Sequence, residues 1–218
     1  MDDRGPVTTT PQPGEVAEGL AVGVLISGSG TNLQAIIDAC ADGSLDARVA
    51  VVVSNKADAF GLERARRSGI PAVYIDRSRF STNPEYNHAL QEILLEHEVE
   101  LVVMAGYMCL LGREVLEAFP QRVINLHPAL LPSFPGASAI ADAFAYGVKV
   151  TGVTVHVADE VFDRGPIIAQ EPVRIEEGDT LATLEQKIHA VEHRLLPAAI
   201  RLFAEGRVRI DGRVVHID

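Results

Sequence analysis

Apolar residues fall in short runs, and the polar stretches between them repeat a strand–loop–helix cycle. Ala21-Val22-Gly23-Val24-Leu25-Ile26 leads into Ser27-Gly28-Ser29-Gly30-Thr31-Asn32, and Leu33, Ile36, Ile37 and Cys40 follow at helical spacing. The stretch 49–53 is apolar throughout, as a strand buried on both faces requires. The same reading predicts helices over about 57–68, 84–96 and 112–118, and strands over about 72–75, 101–106 and 123–126. Strands alternating with helices predict an α/β fold: an open, mostly parallel twisted sheet with flanking helices and right-handed crossovers.

After Gly136 the pattern changes. Positions 153–157 alternate, as do 167–175, which predicts strands that join antiparallel toward the C-terminus. Thr180 is placed to cap a long helix whose apolar face runs Leu181, Leu184, Ile188, Val191, Leu195, Ile200 and Phe203, with a kink expected at Pro197. Two short strands, 208–210 and 214–217, flank a turn at Asp211-Gly212. Residues 1–20 hold three prolines and few large apolar groups and read as a disordered tail, leaving 21–218 as one domain.

Composition narrows the function classes. The chain has 218 residues, 47% of them hydrophobic, enough for a substantial core. A net charge of -11 without a basic stripe argues against nucleic acid as a partner. No apolar stretch approaches a membrane span, and the N-terminus has no signal-peptide pattern. Only Cys40 and Cys109 are present, with no metal-ligand spacing and no disulfide framework, which points to a reducing, cytoplasmic setting. A homodimer is allowed by the sequence and not demanded by it.

Two segments carry candidate chemistry. The loop 27–32 between a strand and a helix offers backbone N–H groups and a positive helix end to an anion. It lacks a third glycine, since Leu33 stands there, and no acid follows the second strand, which ends Ser54-Asn55-Lys56; both omissions disfavour a dinucleotide. A single phosphate monoester fits better. The second segment is Asn125-Leu126-His127-Pro128, in which Asn125 and His127, two apart on a strand, face the same way. The loop that follows, through Pro132 and Pro135, is a place for a cis X-Pro bond. Asp163, in Asp163-Arg164-Gly165-Pro166, is a partner for that imidazole, although alone an Asp-x-Gly more often caps a turn. His127, His156 and Asp163 are types that could hold zinc, but no close spacing joins them. His156 reads as a hydrogen-bonded core group beside the site.

These segments, with 24–36 and 54–62, resemble the phosphoribosylglycinamide formyltransferases, a folate-dependent formyltransferase family, and the likeness extends over residues 21–205. It implies the Rossmann-like formyltransferase fold and transfer of a formyl group from 10-formyltetrahydrofolate, a co-substrate used without a metal, to the amine of glycinamide ribonucleotide in purine biosynthesis. Carried over residue by residue, it implies that Gly30, Thr31, Asn32 and Glu192 hold the phosphorylated substrate. Met108, Cys109, Leu110, Leu111 and Asn125 would take the folate, and Asn125, His127 and Asp163 would form the catalytic trio. In this scheme Asn125 and a protonated His127 stabilise an oxyanion, and Asp163 orients the imidazole and raises its pKa. The chain departs from the family pattern at Ser138, Cys109, Thr151, His189 and Asn83, leaving Arg77 or Arg79 as a substitute cation. Three rivals share these segments: a hydrolase of the same folate, a non-catalytic sugar-phosphate binder and a sugar-amine formyltransferase.

Overall fold

The computed structural model describes residues 19–218, so the predicted tail lies, except for Gly19 and Leu20, outside the described residues. Seven strands form one sheet in the order β3-β2-β1-β4-β5-β6-β7. The strands β1 (Leu20–Ile26), β2 (Ala47–Ser54), β3 (Ala72–Tyr74), β4 (Leu101–Met104) and β5 (Val123–His127) pair in parallel. Then β6 (Val150–Val157) pairs antiparallel with β5, and β7 (Ile167–Arg174) antiparallel with β6. This is the mixed architecture that the alternation predicts.

Side-chain alternation sorts the core into two layers. Val22, Val24 and Ile26 of β1 pack on one face with α1 (Thr31–Ala41), α2 (Phe60–Arg67) and the long α6 (Leu181–Ala204). Ala21 and Leu25 point to the other face, against α3 (Asn83–Glu96) and α4 (Arg113–Ala118). Because successive strand residues face opposite ways, a strand covered on both sides must be apolar at every position. Each fully buried Leu or Ile, such as Leu25 or Ile188, contributes about 1.5–3 kcal/mol of transfer free energy.

Several elements differ from the sequence prediction. Helix α2 begins at Phe60, because residues 57–59 turn before the helix starts. The strand expected from 153 begins at Val150. Helix α5 (Ala139–Tyr146) was not anticipated: its buried residues, Ala139 and Ala143, are four apart but too small to stand out as an apolar stripe. Thr180 caps helix α6 as expected, here in a capping box with Thr183, and the helix continues through Pro197 to Ala204. The last two strands, β8 (Val208–Asp211) and β9 (Val214–Ile217), form a separate hairpin.

The topology decides where a ligand can go. From β1 the chain moves to β2 and β3 on one side, and the sheet continues through β4 and β5 on the other. The loops leaving β1 and β4 therefore part, and a crevice opens at the carboxyl ends of these strands.

Candidate active site

The loop after β1 forms the first wall. Gly30 caps α1 in the left-handed region at φ 69 and supplies no side-chain cap, and the first turn of α1 has no acidic residue. A Cβ on Gly30 would lie 2.7 Å from the Gly61 Cα, so only glycine lets the loop sit this close to α2. The unsatisfied N–H groups of the first helical turn and the dipole's positive end remain available to an anion. A cavity of about 520 Å³ opens over this loop, lined by Gly30, Thr31, Asn32, Ser138, His189 and Glu192 among others. All four residues predicted to hold the phosphorylated substrate thus share one cavity.

Its floor carries a buried carboxylate. Glu192 is 5% exposed; Asn32 Nδ2 donates to its Oε2 at 3.1 Å and His189 Nδ1 at 2.8 Å. The bond to Glu192 holds His189 above the usual imidazole range, against the effect of burial. The Asn32 Oδ1 is buried and has no partner among the described residues.

Next to this cavity lies a more apolar cleft of about 300 Å³ between Met104, Tyr107, Met108, Leu126 and Phe162, with Asn125, His127 and Asp163 at its polar end. Leu110, Leu111 and Val161 extend it on one side. Met108, Leu110 and Phe162 are exposed despite their size. Such a slot suits a flat, partly apolar ligand fixed by a few polar groups. Of the five predicted folate contacts, Met108 and Asn125 line the cleft and Leu110 and Leu111 its extension. Cys109 lines neither: its Sγ accepts from Asn55 Nδ2 at 2.9 Å. The same Asn55 accepts from Ser27 Oγ at 2.7 Å, and Ser27 Oγ accepts from the Met108 N–H at 2.9 Å. Arg77 and Arg79 line none of these walls; Arg77 is spent on Asn83 Oδ1 and the Phe80 carbonyl, and Arg79 pairs with Asp76.

The polar end brings the predicted trio together. Asp163 Oδ1 lies 3.5 Å from both His127 Nδ1 and Asn125 Nδ2, and Asp163 Oδ2 accepts from the Gly136 N–H at 2.8 Å. The His156 ring, in the form that carries a proton on Nε2, 3.7 Å from Oδ1, and the Gly136 N–H hold the Asp163 carboxyl below the usual carboxylate range, against burial. His127 is 3% exposed, and its Nε2 donates to the Phe134 carbonyl at 2.8 Å. The sequence predicts an imidazole raised by Asp163; the structure reverses the net direction. Burial lowers the pKa, and the Phe134 carbonyl and Asp163, both favouring the cation, only partly offset it.

Register brings in His156, which the sequence reads as a hydrogen-bonded core group beside the site and the structure places there. Asn125 and His156 are cross-strand partners, as are His127 and Thr154. Their side chains therefore share a face. His156 is 1% exposed and lies where the β6–β7 register shifts. Its Nδ1 donates to the Val157 carbonyl at 2.8 Å, which leaves Nε2 to accept from Asn125 Nδ2 at 3.1 Å. Thr154 and Gln170 hold the 129–132 backbone through bonds to the Ala129 carbonyl, the Leu131 N–H and the Leu131 carbonyl. The Leu131–Pro132 bond in this loop is cis. Polar residues at 154 and 156 inside an apolar strand were the available signal. Thr151 is buried, and Ser138 stands at the start of α5 without a side-chain cap. Among the described residues no group of three or more His, Cys, Asp or Glu could hold a metal ion.

Known proteins resemble this chain in sequence and in fold. A family profile described as "Formyl transferase" matches residues 20–200. The phosphoribosylglycinamide formyltransferase of Bacillus subtilis is 44% identical over 178 residues, 82% of this chain and 91% of that protein. The crystal structure of glycinamide ribonucleotide transformylase 1 from Symbiobacterium toebii superposes with a TM-score of 0.89 at 52% identity, covering 91% of this chain and 94% of that one. The trifunctional purine biosynthetic protein adenosine-3 of Homo sapiens is 41% identical over 189 residues, which are 87% of this chain and 19% of that protein.

Proposed function

This chain belongs to the formyl transferase family, and we propose that it transfers a formyl group from 10-formyltetrahydrofolate to the amine of glycinamide ribonucleotide in purine biosynthesis. The observation that carries this reading is the place of the trio: Asn125, His127 and Asp163 meet between an anion cavity and an apolar slot. A reaction joining a phosphorylated amine to a group carried on a flat heterocycle needs this arrangement.

The loop residues Gly30, Thr31 and Asn32 hold the phosphate through backbone N–H groups and the α1 dipole. Glu192 takes sugar hydroxyls as an acceptor, and the free Asn32 Oδ1 can accept one more bond. Met108, Leu110, Leu111 and Phe162 grip the folate.

The amine nitrogen forms a bond to the formyl carbon, whose carbonyl oxygen becomes an oxyanion. Asn125 spends one amide hydrogen on His156; the other, whose acceptor Asp163 lies at the 3.5 Å limit, turns to the oxyanion. The amine proton passes to the His127–Asp163 pair. His127 Nδ1 receives it beside the ionised carboxylate, which stabilises the cation that burial disfavours. The pair returns the proton to the folate nitrogen as its bond to carbon breaks. Burial keeps the ring neutral beforehand, so it starts as a base. The free thiols Cys40 and Cys109 suit a cytoplasmic setting.

The test is a spectroscopic assay of tetrahydrofolate release by the purified chain, with and without glycinamide ribonucleotide. Release only with the amine is expected. Release of formate without it would make the chain a hydrolase.

A further inference from the structure

Asp163 sits in a loop that the sheet alone does not hold. The segment 158–166 is anchored at its ends, where Ala158 N–H donates to the Val123 carbonyl and Val157 N–H to the Pro166 carbonyl, both at 2.8 Å. Between these points Asp163 adopts φ 56, a left-handed conformation that few non-glycine residues hold. Gly165 is pressed against β6: a Cβ there would lie 1.7 Å from the Val157 carbonyl oxygen. The loop thus needs outside support to keep its carboxylate on His127 and Gly136.

Arg113 pairs with Glu160 earlier in the segment, and the support next to Asp163 comes from the far end of the chain. Arg213 is the second residue of the two-residue turn between β8 and β9, with Gly212 at φ 56. Its Nη1 donates to the Arg164 carbonyl at 2.7 Å, one residue beyond Asp163. The hairpin is a firm base for this contact, because Val208, Ile210 and Val215 pack on the main core. It also lies beyond residue 200, where the family match ends.

We propose that Arg213 is a positioning residue: the C-terminal hairpin holds the Arg164 carbonyl and thereby fixes the left-handed Asp163 in register with His127. This rests on the transfer reaction assigned above, but the contact can be tested without it. A charged donor on a carbonyl is a strong hydrogen bond, tempered here because the arginine is exposed. The side chain touches neither the anion cavity nor the apolar slot.

The test compares wild type, Arg213→Ala and Arg213→Lys. In Arg213→Ala we expect kcat to fall about three- to tenfold, the range of one ordinary hydrogen bond, with KM for glycinamide ribonucleotide unchanged. Arg213→Lys, which keeps a charged donor, should recover part of the loss. In the absence of substrates, amide hydrogen exchange at 163–165 should quicken by a similar factor in Arg213→Ala while exchange in β5 and β6 stays as in wild type. Unchanged exchange at 163–165 overturns the bracing. Faster exchange there with wild-type kcat overturns its link to catalysis, and neither result would disturb the assignment of the reaction itself. Exchange quickened equally throughout the sheet would make Arg213 a general stabiliser and would also overturn the proposal.

Discussion

Replacing Asp163 by Asn tests the core of the chemistry. The carboxylate now accepts from the Gly136 N–H and lies 3.5 Å from His127 Nδ1 and Asn125 Nδ2. An asparagine that keeps the Gly136 bond must turn its NH2 toward those two nitrogens. It then meets the Asn125 amide donor to donor, and it can donate to Nδ1 only while the imidazole is neutral. The proton that His127 must receive loses its counter-charge. At 3.5 Å and an effective dielectric constant of about 20, that attraction is worth about 5 kcal/mol before solvent and relaxation reduce it. General acid–base catalysis by a positioned pair supplies about 10²–10⁴-fold, equivalent to about 2.7–5.5 kcal/mol, so both routes reach the same range. We therefore expect kcat to fall by about 10²–10⁴, with KM for the phosphorylated amine near wild type, because Asp163 does not line the anion cavity. The fold should survive, since Asn tolerates the left-handed φ 56 as well as Asp does; a change in Tm below about 4 °C is expected. Steady-state kinetics and thermal unfolding decide it. Turnover within a few-fold of wild type, in a protein that still folds, would remove the carboxylate from the proton path.

Two other predictions follow from the same network. His127 binds a proton less readily in the native state than in the unfolded chain, where imidazole titrates near 6.5, so stability should fall as pH drops below about 6.5. Asp163 is depressed, so its contribution is present above about pH 3.9 and is lost as pH falls through its native value. Chemical denaturation across pH should show His127→Gln flattening the upper limb only, and an unaltered upper limb refutes the burial argument. Asn55→Ala breaks the tie from Ser27 to Cys109 beneath the slot; loss of such bonds should raise KM for the folate by about two- to tenfold with less effect on the amine. An unchanged folate KM in steady-state assays would show that this loop needs no such tether.

The parallel part of the sheet was legible in the chain because its strands are apolar at consecutive positions, as in β2, and its turns carry glycine or proline. The glycine loop over the larger cavity was legible from Gly28 to Asn32, and the proposed trio from the residue types at 125, 127 and 163. Helix α5 was hidden because alanines bury well without marking a stripe. The place of His156 as a buried, hydrogen-bonded group beside the site was legible; its bond to Asn125 was not, because that depends on which residues of β5 and β6 lie opposite each other, and no local pattern states that register. The ties of Arg213 to Arg164 and of Asn55 to Cys109 span 49 and 54 positions, and nothing in either neighbourhood announces them.

The chain by itself determined the order and the sidedness of the strands and of the helices other than α5, and the chemical types available for reaction, because hydrophobic period and backbone preference act over a few residues. Tertiary structure alone decided the direction in which the His127 pKa moves, the neighbours of Asn125 and the place of Asp163. Each of these depends on burial and on distances of 3–4 Å between distant segments. A proton's free energy is set by what surrounds it in space, and folding, which local sequence cannot describe, puts those surroundings in place.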